Sequence, residues 1–455
     1  MLSIPRRPLD VSMISALPFI VDLDKESLPG KNLEWLSQRR LSALDSFLEL
    51  GLPTRNWEDW KYTRLQPLEN TTYRRAVHSD STYNIDNTLP IFSVSSGPRL
   101  VFVEGIFRPD LSKLDGLPDT VTLLPLSEVL RKNPNFLKDA MAPDLERKKP
   151  MFVLTEALMD SGFVFHAREN LETELLIEIV HMGGGAKEPV ALFPRNLIII
   201  EDNAKITLIE YFKGNGRGTY LANALTDVKL GKEATLKHYK IQEEIVSGAL
   251  ISSSRVFLQE RANYESFKLG LGALLSRDES YVQLLGEGAH CELRGAFINR
   301  GSQHHDITTC VEHSVPGTKL TELFKGVLED EARGVFQGKI IVKEGAQKTD
   351  AEMTTKTLLL SEGAEINAKP ELEIYADDVK CSHGAASGQL DEAGIFYLRS
   401  RGIPEPLAKN LLVQSFIQEA IDGVTENSVK TAIMDRVLHA LPGNCYLAHE
   451  WRDEQ

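Results

Sequence analysis

Asn196–Phe212 reads NLIIIEDNAKITLIEYF: an apolar run, a tight polar turn ending in Ala204, then a second alternating strand. The unit recurs as VKLGKEATLKHYKI (Val228–Ile241), SRVFLQERANYESF (Ser254–Phe267) and VQLLGEGAHCELRGAF (Val282–Phe297). Its turn alanines, Ala204, Ala234, Ala262 and Ala289, lie 30, 28 and 27 residues apart. Ala332, Ala346 and Ala364 take the same place later, at steps of 14 and 18, near half the earlier period. Such a repeat suits a β-solenoid, because each turn can bury its inner face only by stacking on its neighbours. A β-sandwich built from regularly spaced hairpins has a similar rhythm and remains the alternative.

The repeat is flanked by helical patterns. In NLEWLSQRRLSALDSFLELGLP, Leu33, Leu36, Leu41, Leu44, Phe47 and Leu48 fall at three- and four-residue spacing before Gly51 and Pro53 stop the run. Short strands, Pro-rich turns and a second helix near PLSEVLRKNPNFLKDAMAP lead to about residue 150. After the repeat, GIPEPLAKNLLVQSFIQEAIDG carries Leu407, Leu411, Leu412, Phe416, Ala420 and Ile421 at helical spacing. ENSVKTAIMDRVLHALPG follows with Val429, Ile433, Val437 and Leu441, closed by Pro442-Gly443. These two helices suit either a cap over the open end of the solenoid or a docking surface.

A chain of 455 residues with a formal charge of -14 argues against nucleic acid and anionic membrane as main partners. No apolar run reaches the roughly 18 residues that span a bilayer, and Pro8, Asp10, Pro18 and Asp22 interrupt any signal-like core, so a cytoplasmic protein is expected. Cys291, Cys310, Cys381 and Cys445 form no C-x-x-C pair and read as dispersed, reduced thiols. Any metal site must therefore be assembled by the fold or shared with a partner.

Three clusters are candidates for chemistry. HMGGGAK (His181–Lys187) lacks the G-K-[ST] ending of a phosphate loop and reads as a flexible hairpin turn. QHHDITTCVEH (Gln303–His313) gathers His304, His305, Asp306, Cys310, Glu312 and His313; strand parity puts Cys310 and Glu312 on one face and His313 on the other. In DDVKCSHGA, an unbroken strand would put Asp377, Val379, Cys381 and His383 on one face. Cys381 and His383 then suit part of a metal site, a nucleophilic pair, or packing at an interface.

The stretch LEIYADDVKCSHGAASGQLDEAGIFYLRSRGIP (Leu372–Pro404) resembles the C-terminal signature of the SufB/SufD family of iron–sulfur cluster assembly subunits. NWEDWKYTRLQPL (Asn56–Leu68), FVEGIFRPDLSKL (Phe102–Leu114) and HHDITTCVEH are similar to further family segments, so the likeness covers most of the chain. Proteins similar to SufB carry a cysteine near the region matched here by DAEMTTKTLLL, and its lack between Cys310 and Cys381 makes the resemblance favour SufD over SufB. The resemblance implies a mainly β fold: a right-handed parallel β-helix core (151–388) between a mainly helical N-terminal domain (1–150) and a C-terminal helical domain (389–455). It implies a non-catalytic scaffold that pairs with SufB through the end of the β-helix and docks the ATPase SufC on its C-terminal helices. It also implies that His383, with Cys381 beside it, contributes to a transient iron–sulfur cluster site shared with SufB, with no stably bound cofactor of the chain's own. No role is assigned to His304, His305, Cys310 or His313, and the lack of a G-x-G-x-x-G fingerprint leaves flavin unassigned. Two other readings are a β-helix enzyme that cleaves polysaccharide through Asp377, Asp378 or the LEDEA carboxylates, and a β-helix homodimer without chemistry of its own.

Overall fold

A computed structural model describes residues 20–21, 28–65, 69–78, 80, 97–141, 148–171 and 175–441. The start of the N-terminus, the Pro442-Gly443 stop and Cys445 lie outside these residues. The repeat forms a parallel β-helix whose turns contribute to two sheets, of 12 and 10 strands among the described residues. In the 10-stranded sheet, Lys205–Gly214, Thr235–Glu243, Asn263–Gly270, His290–Asn299, Lys319–Leu328, Asp350–Leu359 and Lys380–Gly388 pair in sequence, all parallel. Register partners such as Lys205–Thr235, Asn263–His290 and Lys319–Asp350 are one full turn apart. Hairpins would have made antiparallel neighbours, so the sandwich alternative falls.

The corners explain the alanines. Asn203, Glu233 and Arg261 adopt left-handed backbone conformations, φ 61°, 57° and 54°, and Gly288 does so at the next turn. Each precedes an alanine of the series Ala204, Ala234, Ala262 and Ala289, whose side chains are fully buried. The strained residue is held by the next turn: the Asn203, Glu233 and Arg261 N–H groups each donate at 2.9 Å to Lys232, Glu260 and Glu287 carbonyls. Later in this column Thr318 and Thr349 replace alanine. Ala332 and Ala364 belong instead to the other sheet, where Arg333 and Glu365 pair one turn apart. The apparent half-period came from the two corners that every turn contains.

The inner faces form one continuous apolar core that includes Ile206, Leu236, Val256, Leu293, Phe324 and Ile340. The outer face of the 12-stranded sheet is covered by N-terminal residues, with Phe47, Trp60 and Leu154 packed on Leu221, Ile251 and Leu275. A buried ion network holds this cover down: Arg195 bonds Glu156 at 2.9 Å and Asp227, and Arg255 bonds Asp227 at 2.6 Å. The first helix among the described residues spans Glu34–Leu50 and ends at Gly51, φ 68°, as its apolar spacing and stop signal predict. The sheets reach back before residue 151, since Arg99–Val103 pairs with the strand Leu175–Gly183 and Val121–Pro125 with Phe163–Ala167.

The C-terminal helices do not cap the solenoid. Glu405–Ile421 and Asn427–Ala440 lie along the outer face of the 10-stranded sheet, where Val413, Ile417, Ile421, Val429, Ile433 and Val437 meet Tyr211, Tyr239, Phe267 and Val327. The second helix buries the residues its spacing predicts. The first is rotated: Ala408, Val413 and Ile417 face inward, and Leu411 is left exposed.

Ala262→Leu should lower stability by about 1–3 kcal/mol, because the corner has no room for added methylenes. Thermal or denaturant unfolding measures this; an unchanged midpoint would show that the corner tolerates bulk.

Candidate functional site

The β-helix ends on two strands, Glu365–Ile374 in one sheet and Lys380–Gly388 in the other. Each is last in its sheet and pairs on one side only among the described residues, with Arg333–Val342 and Asp350–Leu359 respectively. Every second backbone amide and carbonyl along their outer edges is therefore without a ladder partner.

Cys381 lies opposite Ala351 and His383 opposite Met353. Ala351 and Met353 are buried in the lumen, so parity turns Cys381 and His383 toward the same side, on the last layer of the core. Cys381 is half-buried against that core, and His383 is exposed because no further turn covers it. The shared face begins only at the strand. Asp377 is exposed and precedes it, and Asp378 is tied to Lys348 and to the Gln347 side chain, so neither carboxylate joins the pair. Burial, and then the negative charge of Asp350, pushes the Cys381 thiol up, so a proton must leave when a metal binds there. Among the described residues, no group of three or more His, Cys, Asp or Glu side chains is gathered to hold a metal. Cys381 and His383 supply two soft donors, where a closed zinc or iron–sulfur site takes four.

The other candidate clusters are structural joints. On His304–His313, Cys310 and Glu312 face outward and His305 and His313 face the lumen, as parity predicts. His313 shares a 2.7 Å hydrogen bond with the Thr318 hydroxyl, and burial lowers its pKa to about 4. Burial pushes the Cys310 thiol up to about 11. His304 bonds the Thr63 hydroxyl at 2.9 Å, and Asp306 accepts from Thr63 and Arg277. Arg277 stacks on Trp60 at 4.0 Å and donates to the Asp59 carbonyl at 2.8 Å. The NWEDWKYT and HHDITTC segments thus clamp the N-terminal region onto the sheet. The Arg277 clamp was not foreseen from sequence; it joins segments more than two hundred positions apart, and only their shared family likeness hinted at a link.

The glycine-rich loop is not a hairpin but a corner between the sheets, joining Leu175–Gly183 to Val190–Leu192. Its Gly185 and Ala186 N–H groups donate to Glu104 Oε1 at 2.6 and 3.3 Å. These N–H groups are thus taken by an internal carboxylate. Two of the carboxylates that a polysaccharide-cleaving enzyme could use are committed to corners: Asp330 accepts from the Gly301 N–H at 2.9 Å, and Asp378 pairs with Lys348.

The family model described as "SUF system FeS cluster assembly, SufBD core domain" matches residues 181–416, and "SufBD protein N-terminal region" matches 22–179. The chain belongs to the SufBD family of iron–sulfur cluster assembly proteins. It is 31% identical over 404 residues to the iron–sulfur cluster assembly protein SufD of Escherichia coli, covering 88% of this chain and 92% of that one. It is 29% identical over 399 residues to a SufBD family protein of Synechocystis sp., covering 86% and 87%. The SufD of Bacillus subtilis is 26% identical over 414 residues, covering 88% and 92%. The SufBD core match contains every turn from the glycine-rich corner to the open end, and the N-terminal match contains both Trp60 and Glu104.

Burial raises the Glu104 carboxyl to about 7 from its usual 4.5. A carboxyl raised on folding stabilises the fold fully below the unfolded value, and that contribution is lost as pH rises through about 7. Glu104→Gln keeps the acceptor and removes the charge. Between pH 5 and 7 it should lose less stability than the parent, by about 1.4 kcal/mol per pH unit. Parallel unfolding curves against pH for the two proteins would contradict this.

Proposed function

We propose that this chain is the SufD-type scaffold subunit of a SufBCD assembly complex and that it carries no catalytic step of its own. The observation that carries the reading is the open end: among the described residues, two sheet edges without a partner around an under-liganded Cys381–His383 pair. A SufB subunit with a similar β-helix would pair with those edges and extend both sheets, the mode in which main-chain bonds supply affinity. Ile374 and Tyr375, the latter 62% exposed just past the last strand of the 12-stranded sheet, give the edge an apolar anchor.

Pairing would bury His383 and Cys381 at the interface and let SufB provide the remaining ligands of a nascent cluster. A transient cluster that must be passed on is better held by a shared, incomplete set than by a closed four-ligand cage. The cluster is cargo here, not a resident cofactor.

SufC is assigned to the C-terminal helical region. The helices covering the 10-stranded sheet present Leu411 outward, and the short helix Glu392–Arg399 exposes Phe396 (74%) and Tyr397 (55%). Because Glu104 occupies the N–H groups of the glycine-rich loop, ATP hydrolysis is assigned to SufC. No helix of the described residues is long and apolar enough to cross a membrane, which accords with a cytoplasmic complex. Without SufB, the same edges could pair two copies of this chain around a two-fold axis.

Co-expression with SufB and SufC homologues tests the reading. The parent should co-purify with both and support an iron–sulfur chromophore. His383→Ala should still assemble and lose about tenfold or more of the reconstitution rate, as changes at metal sites commonly do. Normal cluster formation by His383→Ala would remove it from the site, and failure of the parent to bind either partner would end the scaffold reading.

A further inference from the structure

The lumen carries a buried polar band in its middle turns. His238 Nε2 lies 3.2 Å from Glu210, and Lys240 Nζ donates to the Ser252 hydroxyl at 2.8 Å and lies 3.4 Å from Asp278. Lys268 pairs with Asp278 and donates to the Ser280 hydroxyl at 2.6 Å. Lys240 and Lys268 come from one sheet, Asp278 and the serines from the other.

Beside this band is a cavity of about 20 Å³, lined by Lys240, Gln242, Lys268, Asp278 and His305 among others, all of them buried. That is room for one water-sized sphere. Among its lining residues, Gln242 Nε2 and His305 Nδ1 are buried without a hydrogen-bond partner. Both side chains are fixed. Gln242 Oε1 accepts from the Leu271 and Gly272 N–H groups at 3.1 Å each, which leaves its NH₂ free to donate. The His305 ring stacks on Phe297 at 4.9 Å and lies so close to Gly270 that a Cβ there would collide with it. Buried groups of this kind in native folds are nearly always paired.

We propose that the cavity holds one small hydrogen-bonding ligand, a water or a halide-sized anion in its place, held by Gln242 Nε2, His305 Nδ1 and the adjacent lysine ammonium groups. Lys240 and Lys268 are balanced by Asp278 and by Glu210, 3.8 Å from Lys240, so a neutral water fits without further charge. Burial lowers the His305 pKa to about 4, so its ring is neutral at physiological pH and an anion would rely on the lysines. The ligand joins the two walls: Gln242 lies on the 10-stranded sheet and His305 on the 12-stranded one. It makes the polar band a brace across the lumen.

Crystal structures of the full chain, grown without halide and in sodium bromide with data collected at the bromine edge, decide this. A single peak about 2.7–3.2 Å from Gln242 Nε2 and His305 Nδ1 is expected for an oxygen, slightly longer for bromide. An anomalous signal at the peak identifies an anion site; a peak without one identifies water. An empty cavity, or protein atoms pairing both side chains, would overturn the proposal. His305→Phe preserves the stack on Phe297, and the peak should vanish or fall to less than half its occupancy; an unchanged peak would overturn the part assigned to His305.

Discussion

Each turn of the β-helix satisfies the backbone of the turn before it and leaves its own far edge to the turn that follows. A closed barrel removes such edges, but a solenoid only moves them to its ends. Toward the N-terminus the 10-stranded sheet finishes on Ile106–Phe107, paired antiparallel to Arg99–Val103. Toward the C-terminus the turns stop at Glu365–Ile374 and Lys380–Gly388 with neither strand paired on its outer side among the described residues, and the helices Glu405–Ile421 and Asn427–Ala440 fold back along the flank. The same open layer leaves Cys381 half-buried and His383 exposed. The open edge and the proposed Cys381–His383 site therefore share one surface.

The described flanks pack on the outer faces of the two sheets rather than over that end. The N-terminal region is held by groups that would be costly to bury unpaired: Arg195 and Arg255 against Asp227 and Glu156, and Arg277 between Asp306, Glu279 and the Trp60 ring. A buried ion pair adds little net stability over an apolar replacement, but breaking one partner away is expensive. Such pairs fix which surface of the sheet each segment can occupy. The C-terminal helices add apolar packing, through Val413, Ile417, Ile433 and Val437, to ion pairs of Glu419 with Lys325 and of Arg436 with Glu243.

Much of this was legible in the sequence because the solenoid repeats its local rules. A tight corner, a left-handed residue and a small buried side chain recur at Asn203–Ala204, Glu233–Ala234 and Arg261–Ala262. Strand parity correctly separated Cys310 from His313. Helical spacing found Val429, Ile433 and Val437, but on Glu405–Ile421 it put Leu411 in the stripe, because that helix is apolar on more than one side. What periodicity could not supply were contacts between distant segments. Glu104 in the glycine-rich corner, Thr63 on Asp306 and the polar brace in the lumen each depend on which turn lies next to which. Alanines from the two corners of a turn also look alike in sequence, and only the pairing separates Ala332 and Ala364 from the earlier column.

The central claim is that a partner β-helix completes the open edge. Amide hydrogen exchange, read on the chain alone and after SufB is added, tests it most directly. The account predicts that the unpaired amides of Glu365–Ile374 and Lys380–Gly388 exchange quickly in the free chain and become strongly protected in the complex. Inner strands such as Asn263–Gly270 should change little. Protection that appears elsewhere on the molecule, with the terminal strands still exchanging freely in a stable complex, would contradict the account.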